Sequence, residues 1–72
     1  MEIGEAIRYW RTRRAINQGE LAGMVGISQN SLSRIETGEH RPRNTTLRKI
    51  AETLKVPVEN LTAPSSDPKE PG

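Results

Sequence analysis

Between Asn17 and Gly38 the sequence twice repeats one local pattern: a polar capping residue, a short apolar period and a closing glycine. Asn17 has the side chain of a helix N-cap, and Glu20 stands three positions on, completing a capping box in its Asn variant. A helix over 18–25 then turns Leu21, Ala22 and Val25 inward, and Gly26 falls where a helix closes through a left-handed residue. Ile27 is apolar and lies in the turn. Ser28 caps the next helix, over 29–37, which turns Leu32 and Ile35 inward and stops at Gly38.

The flanking segments have the same 3.6-residue periodicity. Ile3, Ile7 and Trp10 make one stripe on a first helix of about 2–14, with Ala6 beside them. Arg8, Arg11, Arg13 and Arg14 occupy the other faces and crowd its C-terminal end, where the helix dipole favours cations. After the polar loop Glu39-His40-Arg41-Pro42-Arg43, Asn44 is expected to cap a fourth helix over 45–54 with Leu47, Ile50, Ala51 and Leu54 on one face. Val56-Pro57-Val58 breaks it, and a final turn from Val58 to Leu61 packs Leu61 back on the core. No run alternates β-branched and polar residues, and no Asn-Gly or Asp-Gly turn is present, so strands have no support. The expected fold is all-α: five helices with short connections.

Length and composition restrict function. With 72 residues the chain is one small domain, able to bury roughly 60% of its unfolded surface, too little for a two-domain enzyme or a large cofactor site. It has no cysteine, which excludes disulfides, thiolate zinc sites and cysteine nucleophiles. No apolar run approaches the roughly 20 residues of a membrane span, and no signal segment is visible, so a cytoplasmic protein is expected. Residues 62–72 hold three prolines and almost nothing apolar; the expected division is a folded domain over 1–61 and a disordered Pro/Ser-rich tail over 62–72. The formal net charge is +2, but residues 1–61 carry ten Lys and Arg against seven Asp and Glu, and seven of those ten are arginines at or before Arg43. Arginine suits planar, bidentate recognition of phosphate and guanine.

Two short helices about three residues apart, with a glycine at the turn, meet the requirement of a helix-turn-helix. Ala22 is small where the two approach. If Ile27, Leu32 and Ile35 wedge the second helix of the pair into the core, its outward face is Gln29, Asn30, Ser33 and Arg34, with Thr37 further along. Gln and Asn can pair bidentately with adenine, Arg with guanine, and Ser with several bases. Gln29, Asn30 and Ser33 lie at the N-terminal end, the end that a recognition helix presents to base edges.

Residues 3–61 also resemble the Cro/repressor-type helix-turn-helix family, often called XRE. The matching residues are Ile3-Gly4-Glu5-x-Ile7-Arg8, Asn17-Gln18-x-Glu20-Leu21-Ala22, and Gly26-Ile27-Ser28-Gln29-x-Ser31-Leu32-Ser33-Arg34-Ile35-Glu36-x-Gly38. They continue through Pro42 and Thr46-Leu47-x-Lys49-Ile50-Ala51 to Leu54-x-Val56-Pro57-Val58-x-x-Leu61. The resemblance implies a compact five-helix domain of the phage-repressor type that binds double-stranded DNA, usually as a dimer. Position by position, it implies base readout by Gln29, Asn30, Ser33 and Arg34, and backbone contacts by Asn17, Gln18, Thr37, Arg41 and Arg43, the last two lying along the backbone or reaching toward the minor groove. It further implies an internal ion pair of Arg11 with Glu36. Val56, Val58 and Leu61, near the fourth and fifth helices, supply the expected dimer surface. Glu39 stands where many relatives have a basic residue, and Lys55 where a glycine often ends the fourth helix.

Single residues admit other readings. Trp10, on the Ile3/Ile7 stripe, reads as core, and Tyr9, off it, as exposed. The arginines of the first helix fit a solvated face as well as proximity to a DNA backbone, and Arg34 could pair with a nearby carboxylate. His40 near Glu36 and Glu39 is a poor metal ligand set without cysteine. The only aspartate is Asp67, in the tail, so a Ser-His-Asp site has no support. The expectation is a non-enzymatic, repressor-like regulator without metal, cofactor or small-molecule ligand. It would bind a near-palindromic operator as a homodimer. The rival is a protein-interaction module, such as an antitoxin or anti-regulator subunit, on the same fold; exposed apolar residues on the third helix would favour it.

Overall fold

A computed structural model describes residues 2–62, and all regular structure among them is helical. The elements are α1 (Ile3–Arg13), α2 (Gln18–Val25), α3 (Gln29–Thr37), α4 (Asn44–Leu54) and α5 (Glu59–Thr62). Local chemistry sets their ends. Asn17 Oδ1 accepts from the Glu20 N–H at 2.8 Å while Glu20 Oε1 accepts from the Asn17 N–H at 3.0 Å, the reciprocal bonds of a capping box. Ser28 Oγ accepts from the Ser31 N–H at 3.0 Å. Gly26 and Gly38 close α2 and α3 at φ +87°, where a Cβ would be strained.

Two boundaries differ from expectation. The N-cap of α4 is Arg43, not Asn44: the Leu47 N–H already bonds the Arg43 carbonyl at 2.8 Å, and no side chain caps this end. The break at Pro42 is followed by one extended residue, which leaves Asn44 inside the helix. Thr62, assigned to the tail, is the last residue of α5. The tail expectation for 63–72 lies outside the described residues. The end of α4 is closed by Lys55 itself, at φ +59°. A left-handed lysine costs about 1 kcal/mol, and glycine at this position would not carry that cost.

The core is one cluster. Ile7, Leu21, Leu32, Ile50, Leu54 and Leu61 are fully buried at its centre. Helix α1 packs against α3, α4 and α5, and α2 packs against α3 and α4. Trp10 was expected inside but is only partly buried, at the rim of the cluster. It lies in the last turn of α1, where its ring meets Tyr9 edge-on at 5.1 Å and the Arg14 guanidinium at 5.3 Å. Arg14 Nε also donates to the Leu54 carbonyl at 2.8 Å, which ties the end of α1 to the end of α4.

The expected dimer surface needs correction. Leu61 is 1% exposed and Val56 is 9% exposed, so both belong to the interior of this chain. Alpha-5 is a single turn, and it keeps its place by inserting Leu61 beneath α1. Only Val58 of the three is partly exposed.

Two glycines have opposite roles. At Gly4, in the first turn of α1, a Cβ would sit 2.6 Å from the Glu36 carbonyl oxygen and closer still to that of Ile35. Alpha-1 therefore meets the last turn of α3 backbone against backbone. At Gly23, in the exposed middle of α2, a Cβ would meet nothing within 4 Å. Gly23→Ala is expected to stabilise the domain by about 0.5–1 kcal/mol through helix propensity alone. A thermal melt that moves downward would contradict this.

Candidate nucleic-acid interface

Helix α3 owes its orientation to two residues on one side and to α1 on the other. Leu32 and Ile35 are buried, at 0% and 3% exposure. That leaves Gln29, Asn30, Arg34 and Thr37 exposed, with Ser33 partly so. No apolar residue lies on this face. The Thr37 hydroxyl donates to the Arg34 carbonyl at 3.0 Å, and Arg34 has no carboxylate at ion-pair distance among the described residues.

The face borders two adjoining polar concavities. One is lined by Gln18, Gln29, Asn30 and Ser33. The other extends the surface to α1, through Arg8, Arg11, Glu36 and Thr37, with Gln18 and Ser33 shared between the two. The N-terminus of α2 and the length of α3 thus form one polar surface. Asn17 is exposed at its edge; its Oδ1 caps α2, so its amide N–H groups are the ones facing outward chemistry. Arg41 and Arg43 are exposed but stand elsewhere. Arg41 lines a separate cleft with Glu2, Gly4, His40 and Pro42, and Arg43 is the N-cap of α4.

Beneath this surface runs a side-chain chain that crosses three helices. Arg11 Nε donates to Glu36 Oε2 at 2.7 Å and Nη2 donates to Oε1 at 3.1 Å, a bidentate pair, while Nη1 donates to the Ile16 carbonyl at 3.0 Å. The two side chains are 12% and 4% exposed. Gln18 Nε2 donates to Glu36 Oε1 at 3.1 Å, and Gln29 Nε2 approaches Gln18 Oε1 at 3.4 Å. The ion pair joins α1 to α3, and Gln18 extends it to the first residue of α3. A buried carboxylate with three donors is a satisfied one.

Sequence reasoning had the two ends of this chain but not the middle. Gln18 was assigned outward, to a phosphate, while its amide is also held inward by Glu36. The available signal was an amide at the first residue of each of two consecutive helices. By sequence Arg8 is one of the α1 arginines that fit a solvated face as well as a DNA backbone, and is not singled out as a contact. Glu36 belongs to the ion pair, so it does not join His40 and Glu39, and no group of three metal-ligating side chains occurs among the described residues.

Comparison with known proteins places this architecture. A family model described as Helix-turn-helix matches residues 7–61. The HTH-type transcriptional repressor RghR of Bacillus subtilis (strain 168) is 41% identical over 60 residues, covering 82% of this chain and 44% of RghR. The chain therefore spans less than half of that relative. The P22 c2 repressor, solved in complex with a synthetic operator, superimposes with a TM-score of 0.81 at 31% identity, covering 86% of this chain and 94% of the repressor chain. SinR, a master regulator for biofilm formation solved in complex with DNA, gives 0.77 at 32% identity over 82% of this chain and 95% of its own. With a family model across three quarters of its length and a relative 41% identical over 82% of it, the chain belongs to the XRE-type helix-turn-helix family.

Proposed function

We propose that this chain is a sequence-specific, duplex-DNA-binding transcriptional regulator of the repressor kind, acting by occupancy of its site. One observation carries the reading: α3 exposes Gln29, Asn30, Arg34 and Thr37 side by side, with Ser33 between them and no part of the described chain laid over them. In this reading α3 enters the major groove with its N-terminal residues on base edges, and Asn17 and Gln18 meet phosphate at the start of α2. Arg41 and Arg43 extend the backbone contacts, and Thr37 joins them only by turning its hydroxyl away from the Arg34 carbonyl. Glu39, exposed just beyond α3, opposes them. Homodimeric binding to a near-palindromic site is part of the proposal, supported by resemblance to the family; its half-sites would lie about one helical turn, roughly 34–36 Å, apart. No helix among the described residues is long and apolar enough to cross a membrane. A cytoplasmic location accords with that and with the proposed target.

Selection from a random duplex library, followed by salt-titrated mobility shifts, tests this. A symmetric consensus is expected, with affinity falling steeply as salt rises. Gln29→Ala and Arg34→Ala should each relax preference at one position per half-site by about 1–3 kcal/mol, leaving the other positions alone. Selected sequences that do not change in either variant would remove α3 as the reader.

A further inference from the structure

Alpha-1 contributes one side chain to the polar surface that the base-reading face does not need. Arg8 is exposed and lines the concavity closed by Gln18 of α2 and by Ser33 and Glu36 of α3. Arg11 lines it too, but its charge is compensated by Glu36 and three of its N–H groups are already engaged. The guanidinium of Arg8 makes no ion pair or hydrogen bond among the described residues, so its whole donor fork is available. Two further donors border the same space. The Gln18 amide gives one N–H to Glu36 and keeps a second. The Ser33 hydroxyl has no partner among the described residues. Thr37, also on the wall, already donates its hydroxyl to the Arg34 carbonyl and adds no donor. The Glu36 carboxylate on the same wall is neutralised by its bidentate bonds from Arg11, so a cationic fork with two neutral donors around a solvent-open notch is complementary to a tetrahedral oxyanion.

We infer that the notch between Arg8, Gln18 and Ser33 seats one backbone phosphate of the DNA duplex, with Arg8 as its charged ligand. The inference rests on the DNA-binding reading above and adds to it a contact from α1. It resolves the two readings of the α1 arginines: Arg11 is internal, and Arg8 faces the nucleic acid. Ser33 stands where the two concavities meet, so it would serve the phosphate seat as well as the groove.

The test is a salt titration of the full 72-residue chain on the duplex recovered by library selection, comparing the parent with Arg8→Ala and Arg8→Lys. Arg8 is exposed on a helix and alanine is a good helix former, so circular dichroism should show both variants folded. Arg8→Ala should reduce the slope of log affinity against log salt by about 1, weakening all sequences alike and leaving the selected consensus unchanged. Arg8→Lys should keep the slope. A duplex series carrying one neutral methylphosphonate at each backbone position adds a second readout. One substitution should weaken the parent about tenfold yet leave Arg8→Ala unaffected. An Arg8→Ala slope equal to that of the parent, or a methylphosphonate profile identical in parent and variant, overturns the phosphate seat while the DNA-binding reading stands. A parent that selects no duplex and shows no salt-dependent binding overturns both.

Discussion

Gly4→Ala is expected to lower the unfolding free energy by about 2–3 kcal/mol, because the added methyl collides with main-chain oxygens that cannot rotate away. The carbonyls of Ile35 and Glu36 are fixed by the last turn of α3, so relief requires moving a helix. Alanine's better helix propensity, about 1 kcal/mol, offsets part of the strain. For a domain of this size the loss corresponds to a melting temperature lower by roughly 10–20 °C. Thermal denaturation followed by circular dichroism measures it. Gly23→Ala is the matched control: the same substitution, also in a helix, with the opposite sign. Equal shifts for the two variants would show that the close approach of α1 to α3 carries no energetic weight.

Arg11→Ala should be comparably damaging, about 3 kcal/mol, because it leaves the Glu36 carboxylate buried with the Gln18 amide and no cation. Removing both charges is a different experiment. Arg11→Met combined with Glu36→Leu replaces the pair by apolar groups of similar bulk and should recover most of the loss, since neither charge then remains to be desolvated. Denaturant titrations of the two single variants and the double variant give the coupling. A double variant no better than the worse single one would mean that the geometry of the pair, rather than its uncompensated charge, holds α1 to α3. Because the pair is buried, added salt should change these differences little.

The helices were legible because their ends are written in local chemistry. Asn17, Glu20, Gly26, Ser28 and Gly38 act within a few residues of themselves, and the apolar period between them points to one face. What escaped the sequence depends on residues far apart in the chain. The close packing at Gly4 is created by carbonyls more than 30 positions away, so the glycine alone gives no warning of it. The inward bond of Gln18 needs Glu36, and the partial exposure of Trp10 follows from where α1 runs out. Leu61 and Val56 show a limit of periodicity: an apolar residue near a helix end fits a core and a subunit contact equally, and only packing separates them. Asn44 misled for a simpler reason, since a good capping side chain does not cap when the residue before it makes the first helical turn.

The seam at Gly4 fixes how α3 is mounted. Its pitch against the body of the molecule is held by main chain on main chain and by the buried Leu32 and Ile35, and of the outward residues only Gln29 reaches a neighbouring helix, at Gln18. The other outward positions can therefore be exchanged without tilting the rod that carries them. Under the proposed reading of α3, new sequence preferences would be reachable in this scaffold by single replacements at Asn30 or Arg34, whereas a change at Gly4 would misalign every outward position together.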